Sequence, residues 1–299
     1  MSTAYEVFLA ARPWSFTTSV FPVLLAAAAT RGTQSEDGAD DTSGWQSPRM
    51  VTAVLFVAVL VHTAANLANT YFDFRDGVDR PETASDRTLV DGKLSKASVA
   101  AAAAASLLAA LLLAYVTLEP HPLLSIVWGA GLLLSLSYSA PPLQLKYRGL
   151  GDIVTMLCFG PILMQGTALA LTGKVSIDVF WLSVPIALAT ETIMFANNTR
   201  DIESDKVAGI ITVCQLLGFE RCKDVYGALE ALMYASVFVI SMRALNFWYL
   251  FLPSLTLPIT VDNIRLFVND PAIMRDSPER NAQFHMLFCL CLTVATYLS

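Results

Sequence analysis

Two clusters of Asn and Asp hold the side chains in this sequence best suited to chemistry. The first runs from Asn66 to Asp79, and within it Asn69 and Asp73 lie four residues apart. On a helix that spacing puts both on one face. Asp76 and Asp79 flank Gly77, which sets Asp79 in the following loop. In the second cluster Asn197, Asp201 and Asp205 line one helical face over two turns, with Asn198 one position around. These are oxygen ligands of the kind Mg²⁺ takes, and Mg²⁺ usually binds through one or two carboxylates plus substrate phosphates. Bare carboxylates repel a diphosphate, and cations between them reverse that interaction. Two such faces opposed across a cleft hold two ions and clamp one diphosphate. Arg87, Lys146, Arg148 and Arg200 are the cations placed to finish the neutralisation. One acidic cluster at a helix end is ordinarily a solvated surface, because polar residues are common at a membrane interface. Two matched clusters at two helix ends favour a site. A calcium-loop reading of Asp73–Asp79 fails, since ligands at alternate positions and a Glu at the twelfth are missing.

The elements that carry these clusters are apolar. Of 299 residues, 55% are hydrophobic and 15% charged, with mean hydropathy +0.55. Soluble domains carry about 25% charged residues. A bilayer core takes roughly 20 apolar residues of helix. Nine stretches qualify: 15–31, 50–70, 97–118, 122–140, 150–172, 178–198, 224–243, 246–266 and 281–299. The expected fold is therefore all-α, a polytopic membrane protein with nine transmembrane helices in one domain over residues 1–299. The segment 32–48 is expected to be a flexible polar loop. No small-residue cleavage site follows Arg12-Pro13-Trp14, so the first stretch is expected to be a retained helix.

Nine spans fix which loops share a side. That arrangement places 15 of the 19 Lys and Arg residues on one side, with the N-terminus and both acidic clusters. The positive-inside rule makes that side cytoplasmic. A net charge of −6 argues against nucleic acid as a partner. The five cysteines form no paired motif and read as small apolar fillers.

Other residues are more ambiguous. Asp86-Arg87 through Asp91 reads as a salt-bridged turn or, beside a diphosphate, as a source of a phosphate-binding Arg87. The stretch Ser137–Asp152, with Tyr138, Lys146 and Arg148, reads equally as a Pro/Gly turn with juxtamembrane charges. Glu191 and His62 fall inside apolar stretches. An ionisable residue there is a functional candidate when it faces the interior. Glu191 is taken as a cavity residue, whereas His62 reads more simply as hydrogen-bonded packing.

At these residues the sequence resembles the UbiA superfamily of intramembrane prenyltransferases, in particular its animal vitamin K2-forming branch. The resemblance rests on Arg12–Phe16, Asn66–Asp79, Asp86–Asp91, Lys146–Asp152 and Asn197–Asp205. It implies a helical bundle around a central cavity. It implies metal ligation by Asn69, Asp73, Asp79, Asn198, Asp201 and Asp205, and puts Arg87, Tyr138 and Lys146 near the diphosphate. Many members place a carboxylate where Gly77 stands, so Asp76 joins Asp79 as a candidate ligand. Asp73, Asp201, Lys146 and Tyr138 form the candidate catalytic set. Asn69, Tyr71, Arg87, Lys146, Arg148, Asn197, Asn198 and Arg200 form the candidate substrate-binding set.

The implied reaction is Mg²⁺-assisted transfer of a prenyl group, geranylgeranyl foremost, from its diphosphate to an aromatic quinol such as menadiol. Acceptors such as 1,4-dihydroxy-2-naphthoate, 4-hydroxybenzoate and homogentisate remain open. An animal-type match implies the endoplasmic reticulum or Golgi. The rival readings are an ion-coupled membrane transporter, which also places acids at repeated intramembrane positions, and a lipid- or sterol-responsive binding protein.

Overall fold

The computed structural model describes residues 3–31, 48–82, 84, 86–269 and 277–299. The segment 32–48 expected to be a loop lies almost wholly outside them. The order is α1 (Thr3–Ala10), a 3-10 turn (Pro13–Phe16), α2 (Thr17–Ala29), α3 (Pro48–Arg75), α4 (Lys96–Thr117) and α5 (Pro122–Ser139). Then come α6 (Gly151–Leu157), a π-turn (Cys158–Ile162), α7 (Leu163–Thr172), α8 (Ile177–Arg200), α9 (Ile202–Ala208) and α10 (Val213–Leu217). The remainder is α11 (Phe219–Ala244), α12 (Trp248–Ser254), α13 (Leu257–Asn269) and α14 (Ser277–Tyr297).

Among the described residues, six helices are long and apolar enough to cross a membrane: α3, α4, α5, the run Gly151–Thr172 that joins α6 and α7 across a kink at Gly160, α8 and α11. The other three expected spans take different forms. The first is the shorter apolar helix Pro13–Ala29. The eighth breaks into α12 and α13, with Pro253 in the last turn of α12. The ninth, α14, opens on Glu279 and Arg280, which dilute its apolar character. Nine crossings thus remain an expectation, six long apolar helices a finding.

Lipid is the solvent these helices are built for. Leu108, Leu112 and Tyr115 on α4 and Ile126 and Leu133 on α5 are exposed, as expected of a bundle perimeter. The interior is a close-packed core to which α2, α7, α8, α11 and α14 contribute Leu25, Met164, Ile186, Met233 and Phe288. The most enclosed of the long helices is α8. Its start is capped by Ser176, whose hydroxyl accepts from Val179 N–H.

Two packing details position the site. Gly160 sits in the π-turn just before Pro161 with non-helical φ −94°, ψ −106°. There α8 approaches so closely that a Cβ on Gly160 would lie 2.7 Å from Ala187 Cβ. The second detail is the way the acidic helix ends close. Gly77 and Gly209 both adopt left-handed φ, +73° each. Val78 N–H donates to Asp73 O (2.8 Å) and Gly77 N–H to Phe74 O (3.3 Å). Ile210 N–H donates to Asp205 O (2.9 Å) and Gly209 N–H to Lys206 O (3.2 Å). Both are Schellman closures, in which a glycine turns the chain sharply off the helix. The same device thus ends each acidic cluster four residues after an Asp.

Candidate active site

The two acidic helix ends face one cavity of about 530 Å³. From α3 it receives Asn69 and Asp73, and from the turn beyond Gly77 it receives Asp79. From α8 and α9 it receives Asn197, Asn198, Asp201 and Asp205. Tyr138, Lys146, Arg200 and Arg87 also line it. Eleven of the fourteen side chains expected from sequence therefore meet there.

Three do not reach the cavity. Asp76 is held outside by its neighbour Arg75 (2.6 Å) and by Gln144 (2.8 Å). Of the two carboxylates flanking Gly77, the cavity side thus belongs to Asp79. Tyr71 packs beside the cluster of Leu67 and Leu89, in edge contact with Phe72. Arg148 donates to the Pro142 carbonyl (3.1 Å) on the outer side of its loop. Arg87 reaches only the rim, where Asp91 (2.5 Å) and the Pro81 carbonyl (2.6 Å) hold its guanidinium. Glu191 lies behind the wall, its carboxyl beside that of Asp152.

The centre of the site is a chain of hydrogen bonds around Asp73, which is buried. Lys146 Nζ donates to Asp73 Oδ2 (2.7 Å) and Asn69 Oδ1 (3.1 Å). Tyr147 OH donates to Asp73 Oδ1 (2.5 Å), and Ser139 OH donates to Asn69 Oδ1 (2.8 Å). The loop bearing Lys146 and Tyr147 is tied to the second acidic helix end, where Ile211 N–H donates to Tyr147 O (3.2 Å) and a single bridge pairs Arg148 with Ile211. One loop therefore spans both clusters.

Arg12, Tyr147, Asp152 and Ser139 join the site without being among the candidate residues read from sequence. Arg12 pairs with Asp86 (3.3 Å), which also accepts from Thr70 OH (2.6 Å) and Thr88 N–H (2.9 Å). Burial pushes the Asp86 carboxyl up, but Arg12 and these donors outweigh it and hold the group below the usual carboxylate range. Asp152, at the start of α6, accepts from Asn198 Nδ2 (2.6 Å) and fixes that amide at the cavity wall. The sequence signals for Arg12 and Asp152 were their places in the Arg-Pro-Trp and Gly-Asp segments. Tyr147 and Ser139 carry no signal of their own, because each acts only through a neighbour 70 or more residues away.

Among the described residues, no three acid, His or Cys side chains converge closely enough to hold a metal ion by themselves. The donor set still suits Mg²⁺, which needs only one or two carboxylates per ion when phosphate oxygens supply the rest. The electrostatics agree. Burial, then neighbouring Asp73 and Asp86, push Asp79 up to about 7. Burial, then Asp201, push Asp205 up to about 7. Carboxylates crowded this way lack positive charge, which a bound cation supplies.

The sign of the pH dependence follows. Between about 4 and 7 each of these two groups binds more protons folded than unfolded, so stability falls as pH rises through that window. Asp86 titrates below it and does not offset the trend. Chelator-treated protein in detergent is therefore expected to melt at a higher temperature at pH 6 than at pH 8. A higher midpoint at pH 8 would refute this assignment.

Residues 19–272 match the model of the UbiA prenyltransferase family. The chain is 32% identical to UbiA prenyltransferase domain-containing protein 1 of Dictyostelium discoideum, over 96% of this chain and 86% of that one. It is also 32% identical to the Homo sapiens protein of the same name, over 94% and 80% of the two chains. Its fold is similar to the apo structure of a UbiA homolog from Aeropyrum pernix, with TM-score 0.68, 16% identity, and coverage of 95% and 97%. A UbiA homolog from Archaeoglobus fulgidus, bound to GPP and Mg²⁺, gives TM-score 0.64 and 15% identity, covering 96% and 99%. The match over most of the sequence, with the same helical fold beneath it, makes this chain a member of the UbiA prenyltransferase family.

Proposed function

We propose that this chain transfers a prenyl group, geranylgeranyl foremost, from its diphosphate to a naphthoquinol such as menadiol. The observation that carries the reading is the meeting of two carboxylate-bearing helix ends, Asp73/Asp79 and Asp201/Asp205, across one cavity with Lys146 between them. The relatives' name and the GPP and Mg²⁺ of the Archaeoglobus homolog support the donor half of this reading. The choice of ring rests on family resemblance.

In this reading Asn69, Asp73 and Asp79 face Asn198, Asp201 and Asp205 as the Mg²⁺-binding groups. Mg²⁺ held there would neutralise the diphosphate oxygens and favour departure of the diphosphate. Lys146 holds Asp73 and Asn69 in register and offers its ammonium to the leaving group. Arg200, at the cavity wall beside Asp201, adds positive charge. Tyr138 lines the same wall. The allylic C–O bond breaks with both electrons leaving on the diphosphate. An electron-rich ring carbon then attacks the allylic cation, and the ring loses a proton, or carbon dioxide when the acceptor is a carboxylate. The apolar part of the wall, Phe159, Ile193 and Met194, limits the water that would otherwise capture the cation as prenol.

The membrane setting follows from the same family reading. On nine crossings, the basic-residue bias favours active-site loops and an N-terminus on the cytoplasmic side, and the animal-type resemblance favours an endoplasmic reticulum or Golgi membrane in a eukaryotic cell. The decisive experiment incubates purified protein with Mg²⁺, a panel of prenyl diphosphates and candidate aromatic acceptors, and weighs the products. A Mg²⁺-dependent adduct of menadiol and a geranylgeranyl group is expected. No adduct from any pair sinks the reading, and solute flux into vesicles without covalent product would favour the transporter instead.

A further inference from the structure

His62 lines the inner part of the cavity from α3. It precedes Asn69 by seven residues, which is two helical turns or about 10 Å along the axis. It is buried, and two rings flank it: Phe159 at 4.8 Å between centroids, tilted, and Phe16 at 5.4 Å, edge-on. Phe159, Val154, Ile193 and Met194 make the nearby wall apolar.

The hydrogen bonds assign the ring's tautomer. Ser15 OH donates to the Arg12 carbonyl (2.7 Å), which uses its one proton. Ser15 Oγ therefore accepts from its two other partners, Asn66 Nδ2 (3.2 Å) and His62 Nε2 (3.3 Å). The hydrogen of His62 is thus on Nε2, and Nδ1 accepts from Ser19 OH at 2.7 Å. The Nδ1 side is short and anchored. The Nε2 side is long and ends on an oxygen already served by Asn66. That N–H is the hydrogen most readily turned to a new acceptor in the cavity. Two other polar groups of the wall, Ser135 and Thr190, already have partners in Cys158 and His285.

A prenyl tail gains nothing from this N–H, whereas a quinol ring carries oxygens and a flat face. The acceptor ring must reach the first prenyl carbon, just beyond the diphosphate, and His62 lines the same cavity about two helical turns from Asn69. Resting on the prenyl-transfer reading, we propose that His62 is a binding residue for the aromatic acceptor: Nε2–H donates to a ring oxygen, and Phe159 packs against the ring. Ser19 sets the tautomer that makes this possible.

The test is steady-state kinetics with menadiol and its two mono-deoxy analogues, each lacking one hydroxyl. In His62→Phe, which keeps an aromatic ring and removes the donor, KM for menadiol is expected to rise roughly tenfold, the worth of one hydrogen bond. KM for the prenyl diphosphate stays unchanged. His62→Gln, which keeps a donor, should recover part of the loss. In the wild type one analogue should lose the same factor, and in His62→Phe that analogue and menadiol should perform alike. The proposal is overturned if wild type uses menadiol and both analogues equally well. It is also overturned if His62→Phe keeps the wild-type menadiol KM, or if both substrates' KM values move together. Failure of the wild type to prenylate any acceptor would instead strike the underlying reading.

Discussion

Asp73→Ala and Asp201→Ala are each expected to lower prenyl transfer by about 10²–10³-fold or more, the range seen when one pre-organised electrostatic group is removed from a charge-separating reaction. The loss should fall on kcat at saturating Mg²⁺, because the leaving diphosphate carries its greatest charge as the C–O bond breaks. Folding should survive at both positions. Asp201 sits at the end of α8 paired with adjacent Arg200 (2.7 Å), so its removal frees a partly exposed cation. Asp73 is buried, but Lys146 keeps a bond to Asn69 when Asp73 is gone. Asp73→Asn preserves the shape and is the control for folding. The double variant should be little worse than either single one, since both faces act on one diphosphate and such groups are not additive. Measurement is of product formation by purified, monodisperse variants. A well-folded Asp73→Ala or Asp201→Ala protein within tenfold of wild type would remove the basis of the metal-diphosphate reading.

Gly160→Leu is expected to prevent the bundle from closing, and Gly160→Ala to weaken it. The added Cβ meets Ala187 Cβ at 2.7 Å and the Ser183 carbonyl at 3.2 Å. These belong to the stub and backbone of α8, which have no flexible end to swing aside. Overpacking of this kind costs about 1–3 kcal/mol for small additions, and each kcal/mol moves a melting point by roughly 2–4 °C in a chain of moderate size. Activity should fall with stability, because α8 delivers Asn197, Asn198 and Asp201 to the cavity. Adding Ala187→Gly to Gly160→Ala should restore part of both. A Gly160→Leu protein that melts with the wild type would show that the two helices are not held at the spacing seen here.

Much of this architecture was legible beforehand. Charge scarcity and long apolar runs imposed a helical membrane protein, because in lipid every backbone polar group must be satisfied within a helix or a closed barrel. The spacing of Asn69 with Asp73, and of Asp201 with Asp205, put each pair on one face, since that relation is local to 3.6-residue periodicity. The count of crossings was less secure. Length and apolarity alone do not tell a single rod from the broken pair α12–α13, nor reveal how the charged start of α14 lies in the bundle.

What tertiary structure alone decided is which chemistry faces which. Asp76 and Asp79 are equivalent candidates on paper. The left-handed turn at Gly77 leaves Asp76 with Arg75 and Gln144 and sends Asp79 into the cavity. Lys146 and Tyr147 were juxtamembrane residues until their loop reached more than 70 residues back along the chain to Asp73. Arg148, two positions after Lys146, faces outward by the same fold of that loop. By itself the sequence determined the two acidic helix ends, since periodicity fixes a residue's place on its own helix. Only packing decided that they oppose each other across one cavity with Lys146 between them, because the angle and depth at which helices meet depend on close contacts such as Gly160 against Ala187, which no local pattern encodes.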